Sequence, residues 1–245
     1  AVALTAHVIV DVVEATPRSV PSSRTDFRIG SIQHGNSIRG GGFTHCDISS
    51  VLVSENLDVT SITPSNSVSC FGGTGTPEHS YGRSHDLSLG SLAGLPLDLS
   101  CVHVGLAQQS VASTGTVKIY KDLDGIPGPS SDGSDLWLLS SVSIDLPATN
   151  SPLFLTASFA TPISLEPDSL IFVEIVVPES FPGTHEIGSN AAGELSSTWI
   201  RTTNGECGIG SWTNPSALGF PNMHLLEAVE VAIATVPDPC DSALP

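Results

Sequence analysis

Hydrophobic and polar positions alternate over short stretches along most of this chain. Val102, Val104 and Leu106 occupy every second position of one stretch, and Val117 and Ile119 repeat the pattern further on. A period of two is typical of a β-strand with one face in the core, so we expect the other face of this sheet to lie in water. The pattern, with turns rich in Gly, Pro, Ser and Asn, predicts strands over residues 51–59, 84–89, 99–107, 115–120, 136–144, 154–159, 170–177, 197–202 and 223–234.

The last of these stretches also fits a helix. Leu225, Val229 and Ile233 recur at helical spacing within residues 223–234. However, the stretch is rich in β-branched residues and follows Pro221 closely, and both features favour a strand.

Residues 7–13 form a nearly continuous β-branched run, which is typical of a strand that is buried on both faces. The apolar start of the chain is interrupted by His7 and Asp11 and is too short and too polar to span a membrane. No cationic segment precedes it, as one would in a signal peptide. We therefore expect these residues to form the first strand of a mature, already processed protein.

The strand pattern predicts an all-β fold, a two-sheet β-sandwich that is jelly-roll-like, with an N-terminal strand and a loop-rich extension. A chain of 245 residues can bury one sizeable core of this kind. We expect the extension, with a candidate donor or edge strand, over residues 1–75. The sandwich should cover residues 76–236, and a Pro-rich tail or linker residues 237–245.

The charge of the chain narrows the classes of partner. It has 25 acidic residues against 8 lysines and arginines, and its formal net charge is −17. A field of this sign repels nucleic-acid phosphates and anionic lipid head groups. We therefore expect no nucleic-acid partner and no membrane insertion, whereas cations and neutral sugars remain open as ligands.

Cysteine usage indicates an oxidising compartment. None of the cysteines belongs to a Cys-x-x-Cys pair, so a zinc knuckle or a thioredoxin-like motif has no support. Wide spacing in a lysine-poor β protein favours disulfides, and hence a secreted or cell-surface protein. Two bonds and one spare thiol are expected, which leaves about fifteen arrangements open, with Cys240 or Cys46 as the preferred spare. The five cysteines are Cys46, Cys70, Cys101, Cys207 and Cys240.

An acidic loop follows the strand predicted over residues 115–120. Asp122 and Asp124 form an Asp-x-Asp-Gly motif, and Asp132 and Asp135 come soon after it. Calcium prefers several carboxylate and carbonyl oxygens on one loop, so these four residues are a candidate Ca²⁺ site. The loop is not an EF-hand, because Gly133 stands where the bidentate Glu would be. The alternative is an acidic turn that lies in water.

Histidines and hydroxyls form no catalytic motif. The chain has no His-Glu-x-x-His sequence and no Gly-x-Ser-x-Gly elbow. Imidazoles near carboxylates can hold zinc or act as bases, but loosely spaced histidines favour structural roles. We therefore expect no enzymatic activity. The histidines concerned are His79, His85, His185 and His224.

Tryptophans offer one candidate for ligand binding. Trp137 and Trp199 fall in predicted strands, so we expect them to pack in the core. Trp212 falls in a loop and should be exposed, which makes it a candidate platform for stacking a sugar.

Several short motifs in the chain carry a resemblance to a known type of module. They are Ser-Tyr at 80–81 before Asp-Leu at 86–87, a strand beginning at Cys101, Val-Lys-Ile-Tyr at 117–120, Ile-Gly-Ser-Asn-Ala-Ala-Gly at 187–193, Cys-Gly at 207–208 and Gly-Phe-Pro-Asn-Met-His-Leu at 219–225. Together they resemble an uncharacterised β-sandwich module of secreted, multidomain bacterial surface proteins, over about residues 78–235.

The resemblance implies an extracellular adhesive, binding or scaffold domain with no catalytic residues to carry over. It implies that Cys101 and Cys207 are disulfide partners. It also implies that the Pro-rich tail is a linker toward a following segment, such as an anchor.

Two hypotheses about function follow. The first is an extracellular structural or interaction subunit, adhesive or filament-forming, in which residues 7–13 complete the sheet of a neighbouring copy. In the simpler form of this hypothesis, the same residues pair with residues 227–234 of their own chain. The second hypothesis is a cation-dependent carbohydrate-binding module.

Overall fold

Two five-stranded antiparallel sheets make up most of the described chain. The computed structural model describes residue Cys46 and residues 50–71 and 75–234. These residues contain no α-helix and only three short 3₁₀ segments, Gly90–Leu92, Glu206–Gly208 and Pro215–Leu218, which confirms the all-β prediction. The strands are β1 Val51–Val53, β2 His79–Asp86, β3 Leu97–Gln109, β4 Ser113–Asp122, β5 Leu136–Leu146, β6 Leu153–Leu165, β7 Leu170–Val177, β8 His185–Ile187, β9 Ser189–Asn190, β10 Thr198–Thr202, β11 His224–Leu225 and β12 Glu227–Ile233.

The strand order shows which elements are neighbours. The first sheet has the order β1-β12-β3-β6, and β8 also pairs with β3. The second sheet has the order β10-β2-β7-β4-β5, and the short strands β11 and β9 form a separate pair. Strand β5 therefore lies at an edge of the second sheet, where among the described strands it pairs with β4 alone.

The core lies between the two sheets and is built from alternate residues of their strands. Val102 and Val104 of β3 face it from the first sheet, and Val173 and Ile175 of β7 face it from the second. Burial of such apolar side chains contributes about 1.5–3 kcal/mol each, so this layer is the main source of stability. Tyr81 is fully buried, and its hydroxyl donates to the carbonyl of Val68 at 2.9 Å, which satisfies the one polar group of this ring.

Residues 50–71 pack onto the sandwich. Strand β1 pairs with β12, and Val53 and Val68 belong to the core. Further along this segment, the amide of Leu57 donates to the carbonyl of Gly193 at 3.0 Å. Residues 7–13, for which a strand is predicted, and the tail with Cys240 lie outside the described residues.

Residues 223–234 are extended, as the β-branched content predicted. They form β11 and β12 with Leu226 between them. A break is required because the two strands pair with different partners, β9 and β3.

No helix in the described part of the chain has the length and apolar character that a membrane span needs.

The expectation of a wet outer face is wrong for β3. Cys101 and His103 lie on the face opposite Val102 and Val104, yet both are fully buried. Glu230 of β12 lies beside them, and its carboxylate accepts hydrogen bonds from the backbone of Cys46 and the hydroxyl of Ser50. The segment that precedes β1 therefore covers the outer face of β3 at this point.

The disulfide expected between Cys101 and Cys207 is not formed. Cys46 is bonded to Cys101, and Cys70 is bonded to Cys207. Cys101 lies on the outer face of β3, whereas Cys207 follows β10 at the edge of the other sheet. The first sheet therefore stands between them, and a bond would have to cross it.

Candidate functional site

The acidic loop between β4 and β5 brings three carboxylates together. Asp122 is the last residue of β4, Asp135 immediately precedes β5, and Asp124 lies in the loop. One carboxylate oxygen from each residue lies within 4.8 Å of the others. The antiparallel pairing of β4 and β5 produces this arrangement, because it places the start of β5 beside the end of β4.

Hydrogen bonds fix the loop in this shape. The amide of Leu123 donates to the carbonyl of Asp135 at 2.9 Å and so continues the strand pairing by one residue. The amide and hydroxyl of Ser130 both donate to the Asp135 carboxylate, at 2.8 and 2.6 Å. Asp124 accepts from the amide of Ile126 at 2.8 Å. Two of the three carboxylates are thus held by turn contacts.

The loop is seated on the outer face of the second sheet by two tryptophans. Gly128 has a φ of +110° and lies against Trp199, where an added Cβ would be only 2.5 Å from the ring. Its amide donates to the hydroxyl of Ser84 at 2.8 Å. Gly133 lies over Trp212 in the same way, with a Cβ position 3.3 Å from the indole nitrogen.

The prediction that Trp212 is exposed is therefore wrong. Its side chain is only 4% exposed, because the acidic loop covers it. The Arg201 guanidinium lies 4.4 Å from the centroid of the Trp212 ring, and the centroids of the Phe172 and Trp212 rings are 5.1 Å apart. Trp212 supports the loop and has no free face on which a ligand could stack.

Asp122 is the most unusual member of the acidic group. Its side chain is only 5% exposed, and neither carboxylate oxygen has a hydrogen-bond partner of normal geometry. Burial, followed by the neighbouring carboxyls of Asp124 and Asp135, raises the pKa of Asp122 to about 7. The adjacent Lys121 is paired with Glu166. Such a group needs either a proton or a bound cation at neutral pH.

Asp132 stands apart from the other three. Its carboxylate accepts from the amide of Ser134 at 3.1 Å and from the hydroxyl of Ser130 at 3.0 Å. It is therefore a turn-forming residue, and it lies outside the group of three oxygens. The arrangement of Asp122, Asp124 and Asp135 supplies the hard oxygen ligands that calcium prefers.

Exposed apolar side chains flank the acidic group. Trp137, two residues after Asp135, is 65% exposed, so the expectation that it packs in the core is wrong. It lies near the end of an edge strand, which the other sheet does not cover. We call this set the hairpin-end surface. It consists of Leu123, Ile126, Trp137, Leu138 and Leu139, all of which are exposed.

A polar pocket of about 250 Å³ lies further along the same sheet. Glu174 forms its floor and contacts Arg201 at 2.8 Å, Lys118 at 3.3 Å and the Tyr120 hydroxyl at 2.6 Å. Burial favours the neutral acid, but hydrogen bonds from Ser80, Tyr120 and Arg201 prevail and lower the pKa of Glu174. Its charge is already satisfied, so the pocket presents a balanced polar surface.

The histidines that the sequence singled out have structural surroundings. His185 Nε2 lies 3.1 Å from His79 Nδ1, and the Thr76 hydroxyl lies 2.8 Å from His185 Nδ1. His85 contacts Glu227 at 2.9 Å between the two sheets. Burial, followed by the nearby Arg83 charge, lowers the pKa of His85 to about 3, and burial raises the pKa of Glu227 well above its usual value. This pair is therefore a hydrogen bond between neutral groups.

Comparisons with known proteins give no family for this chain. No model of a known protein family matches it, and no curated protein matches it in sequence. Among solved structures it is similar to the cysteine protease and lectin-like domains of Cwp84, a surface layer associated protein of Clostridium difficile. The identity is 10% and the TM-score 0.45, over 78% of this chain and 37% of that one.

A second solved structure, the clostridial cysteine protease Cwp84 after propeptide cleavage, is similar at 12% identity. Its TM-score is 0.45, over 78% of this chain and 42% of the other. The chain thus spans less than half the length of either solved chain. At this identity and TM-score, the likeness carries no argument about fold or function.

Proposed function

We propose that this protein is an exported, non-catalytic interaction module that associates through strand β5 and the hairpin-end surface. The observation that carries the proposal is the exposure of five large apolar side chains at one end of an edge strand. Several large exposed apolar side chains close together in one part of a fold are typical of an interaction site. Two disulfides among the described residues support formation of the fold in an oxidising compartment.

Strand β5 has few of the features that normally prevent edge-to-edge pairing, since it carries one β-bulge, at Leu139. It is eleven residues long and contains neither Pro nor Lys. Proteins usually protect such edges with short strands, lysines, prolines or bulges. The occupant that we propose is the apolar segment 7–13 of a second copy, which is β-branched and free of Pro. Its addition to β5 would join subunits into an adhesive or filamentous assembly.

Particle size under native conditions tests this proposal. We expect the full chain to form oligomers in analytical ultracentrifugation. Deletion of residues 1–14 should yield a monomer with an unchanged circular-dichroism spectrum. The double variant Trp137→Ala/Leu138→Ser should shift the distribution toward monomer as well. Ile233→Ser, which removes an apolar side chain of 60% exposure on the other sheet, should leave it unchanged.

Two outcomes would contradict strand addition. One is a full chain that remains monomeric at all concentrations tested. The other is global unfolding on deletion of residues 1–14, which would indicate that these residues pair within their own chain.

A second candidate function is cation-dependent carbohydrate binding. The observation that favours it is the convergence of Asp122, Asp124 and Asp135, with the Asp122 carboxylate buried and without a hydrogen-bond partner of normal geometry. Calcium would neutralise this group and stiffen the loop. The exposed ring of Trp137 is then the aromatic surface nearest in sequence to the site.

Calorimetric titration with Ca²⁺, followed by a glycan array with and without chelator, tests this second candidate. We expect one Ca²⁺ per chain, loss of at least about tenfold in affinity for Asp122→Asn, and little change for Asp132→Asn. Sugar binding should disappear in chelator. If no polysaccharide is bound at any calcium concentration, the carbohydrate hypothesis is wrong even where calcium binds.

A further inference from the structure

Four side chains able to bind a metal meet on the outer face of the first sheet, whereas the acidic loop belongs to the second sheet. They are two cysteines, one histidine and one glutamate, and one ligand atom of each lies within 4.8 Å of the others. Three of the four are fully buried, and Cys46 is exposed. The residues are Cys46, Cys101, His103 and Glu230.

The strand geometry explains why these residues meet. Cys101 and His103 are two positions apart on β3 and share its outer face. Glu230 is the cross-strand neighbour of Cys101 on β12. Cys46 reaches the same point from the preceding chain and is bonded to Cys101.

The distances between the ligand atoms are those of a small polyhedron. The Cys101 sulfur lies 3.5 Å from His103 Nε2 and 3.5 Å from Glu230 Oε2. His103 Nε2 lies 2.9 Å from the same glutamate oxygen. Tetrahedral zinc ligands at 2.0–2.3 Å from the metal lie roughly 3.3–3.8 Å apart. The two distances from Cys101 already match this range, whereas His103 and Glu230 would have to move slightly apart and the two bonded sulfurs would separate on reduction.

A second layer of contacts orients the histidine and the glutamate. The Thr156 hydroxyl lies 3.0 Å from His103 Nδ1, which leaves Nε2 directed at Cys101 and Glu230. The Ser50 hydroxyl donates to the other oxygen of Glu230. Outer contacts of this kind are typical of metal sites, where they fix the ligand geometry.

We propose that Cys46, Cys101, His103 and Glu230 bind one Zn²⁺ when the disulfide between the two cysteines is reduced. Two thiolates, one imidazole and one carboxylate suit zinc in donor type and in number. In the oxidised chain the two sulfurs are bonded to each other and are not thiolates, so the zinc site does not exist. The same point of the fold thus carries a covalent cross-link in the oxidised chain and a metal cross-link in the reduced chain.

The chemistry of the change balances. A dithiol reductant supplies two electrons and two protons, the Cys46–Cys101 bond breaks, and the reductant becomes a disulfide. Zinc then replaces the protons of the two thiols, which are released to solvent. Oxidation of the two thiolates by a disulfide oxidant restores the bond and releases the metal.

The second disulfide provides an internal control. Cys70 and Cys207 are also bonded, and His79 lies nearby, where its Nε2 accepts from the amide of Cys70 at 2.6 Å. Within residues 50–71 and 75–234, however, no group of three metal-binding side chains includes this pair. A zinc site is therefore expected at one disulfide and not at the other.

Titration of the full chain with Co²⁺, in the presence of a phosphine reductant, tests the proposal. We expect one tetrahedral Co²⁺ per reduced chain, with a thiolate-to-metal charge-transfer band, and its displacement by Zn²⁺. Cys46→Ser, a change at an exposed position, should weaken binding by at least about tenfold and reduce the band. Cys70→Ala/Cys207→Ala should bind as the unmodified chain does. The oxidised chain should show no such band.

Any Co²⁺ held by the acidic loop would be distinguished by its spectrum, because oxygen ligands give no thiolate band. If the reduced chain unfolds without metal, zinc should restore its native circular-dichroism spectrum. The proposal is overturned by a reduced chain that shows no thiolate band, or by Cys46→Ser binding equal to that of the unmodified chain. If His103 and Glu230 only support the disulfide structurally, the reduced chain will show no thiolate band, and the proposal is then overturned.

Discussion

Single residues in this protein owe their chemistry to burial more than to their type. Asp122 and Asp132 belong to the same loop, but only Asp122 is enclosed, and burial heads the causes that raise its pKa to about 7. Asp132 is exposed, and hydrogen bonds with Ser134 and Ser130 lower its pKa. Two identical side chains thus differ in charge state near neutral pH.

Replacement of Asp122 by Asn should change how stability depends on pH. The unfolded chain loses this proton near pH 3.8 and the folded chain near pH 7, so in chelator the free energy of unfolding falls as pH rises through this window. Asp122→Asn should remove most of this fall and should be more stable than the unmodified chain above about pH 7. Urea unfolding from about pH 4 to pH 8 measures the effect.

Asp132→Asn is the matched control for this experiment, because it removes an equal charge from the same loop. It should retain the fall in stability with rising pH. Equal slopes for the two variants would show that burial of Asp122 does not control the titration. In the presence of Ca²⁺, the unmodified chain should regain the stability that it loses on deprotonation, and Asp122→Asn should not.

Sequence spacing placed four aspartates in the acidic loop but could not show which of them lie close together. Asp122, Asp124 and Asp135 converge, whereas Asp132 forms a turn. The predicted exposures of Trp137 and Trp212 were the wrong way round. Trp212 is covered by a loop that precedes it by about 80 residues, and no local pattern contains that contact.

At the level of elements, the period of two located most strands but not their ends. Strand β7 was predicted with its observed bounds, Leu170–Val177. Strand β8 was missed because its three residues pair with the distant β3 and carry too short a pattern to detect. The stretch predicted over residues 51–59 is a strand only to Val53, because β12 offers it a partner for just three residues.

A close approach of two glycines joins β3, β8 and the end of β11. The amide of Gly188 donates to the carbonyl of Gly105 at 2.6 Å, and the amide of Gly105 donates to that of Leu226 at 2.8 Å. A Cβ on Gly188 would lie 2.6 Å from the carbonyl carbon of Gly105. The backbone atoms of Gly105 cannot move aside as the end of a flexible side chain can, so a Cβ on Gly188 would clash with them.

Gly188→Ala should therefore lower the free energy of unfolding by about 1–3 kcal/mol, the usual cost of overpacking. Denaturant unfolding measures the loss, and Thr114→Ala, at an exposed position of β4, is the control that should stay within about 0.5 kcal/mol. A Gly188→Ala chain as stable as the unmodified one would mean that the strands separate at no cost.

For the whole molecule, the two disulfides tie segments that are remote in sequence. The Cys70–Cys207 bond spans 137 residues and connects the segment before β2 with the segment after β10. The Cys46–Cys101 bond spans 55 residues and attaches the chain before β1 to the first sheet. Longer loops lose more entropy in the unfolded chain when they are closed.

Removal of the longer link by Cys70→Ala/Cys207→Ala should lower the free energy of unfolding by about 2–5 kcal/mol while the strands remain formed. Guanidinium unfolding followed by circular dichroism measures both properties. An unchanged midpoint would show that this bond adds nothing to stability. Loss of the β spectrum in the absence of denaturant would show that the sandwich cannot form without it.

The sequence by itself determined the all-β class, the acidic surface, the extended state of residues 223–234 and the position of the acidic loop. These properties depend on composition and on patterns a few residues long, which hold wherever a segment lies. The tertiary structure alone decided which cysteines pair, which tryptophan is exposed and which carboxylate is enclosed. Each of these depends on which strands become neighbours and on which face a side chain lies, and segments far apart in the chain determine both.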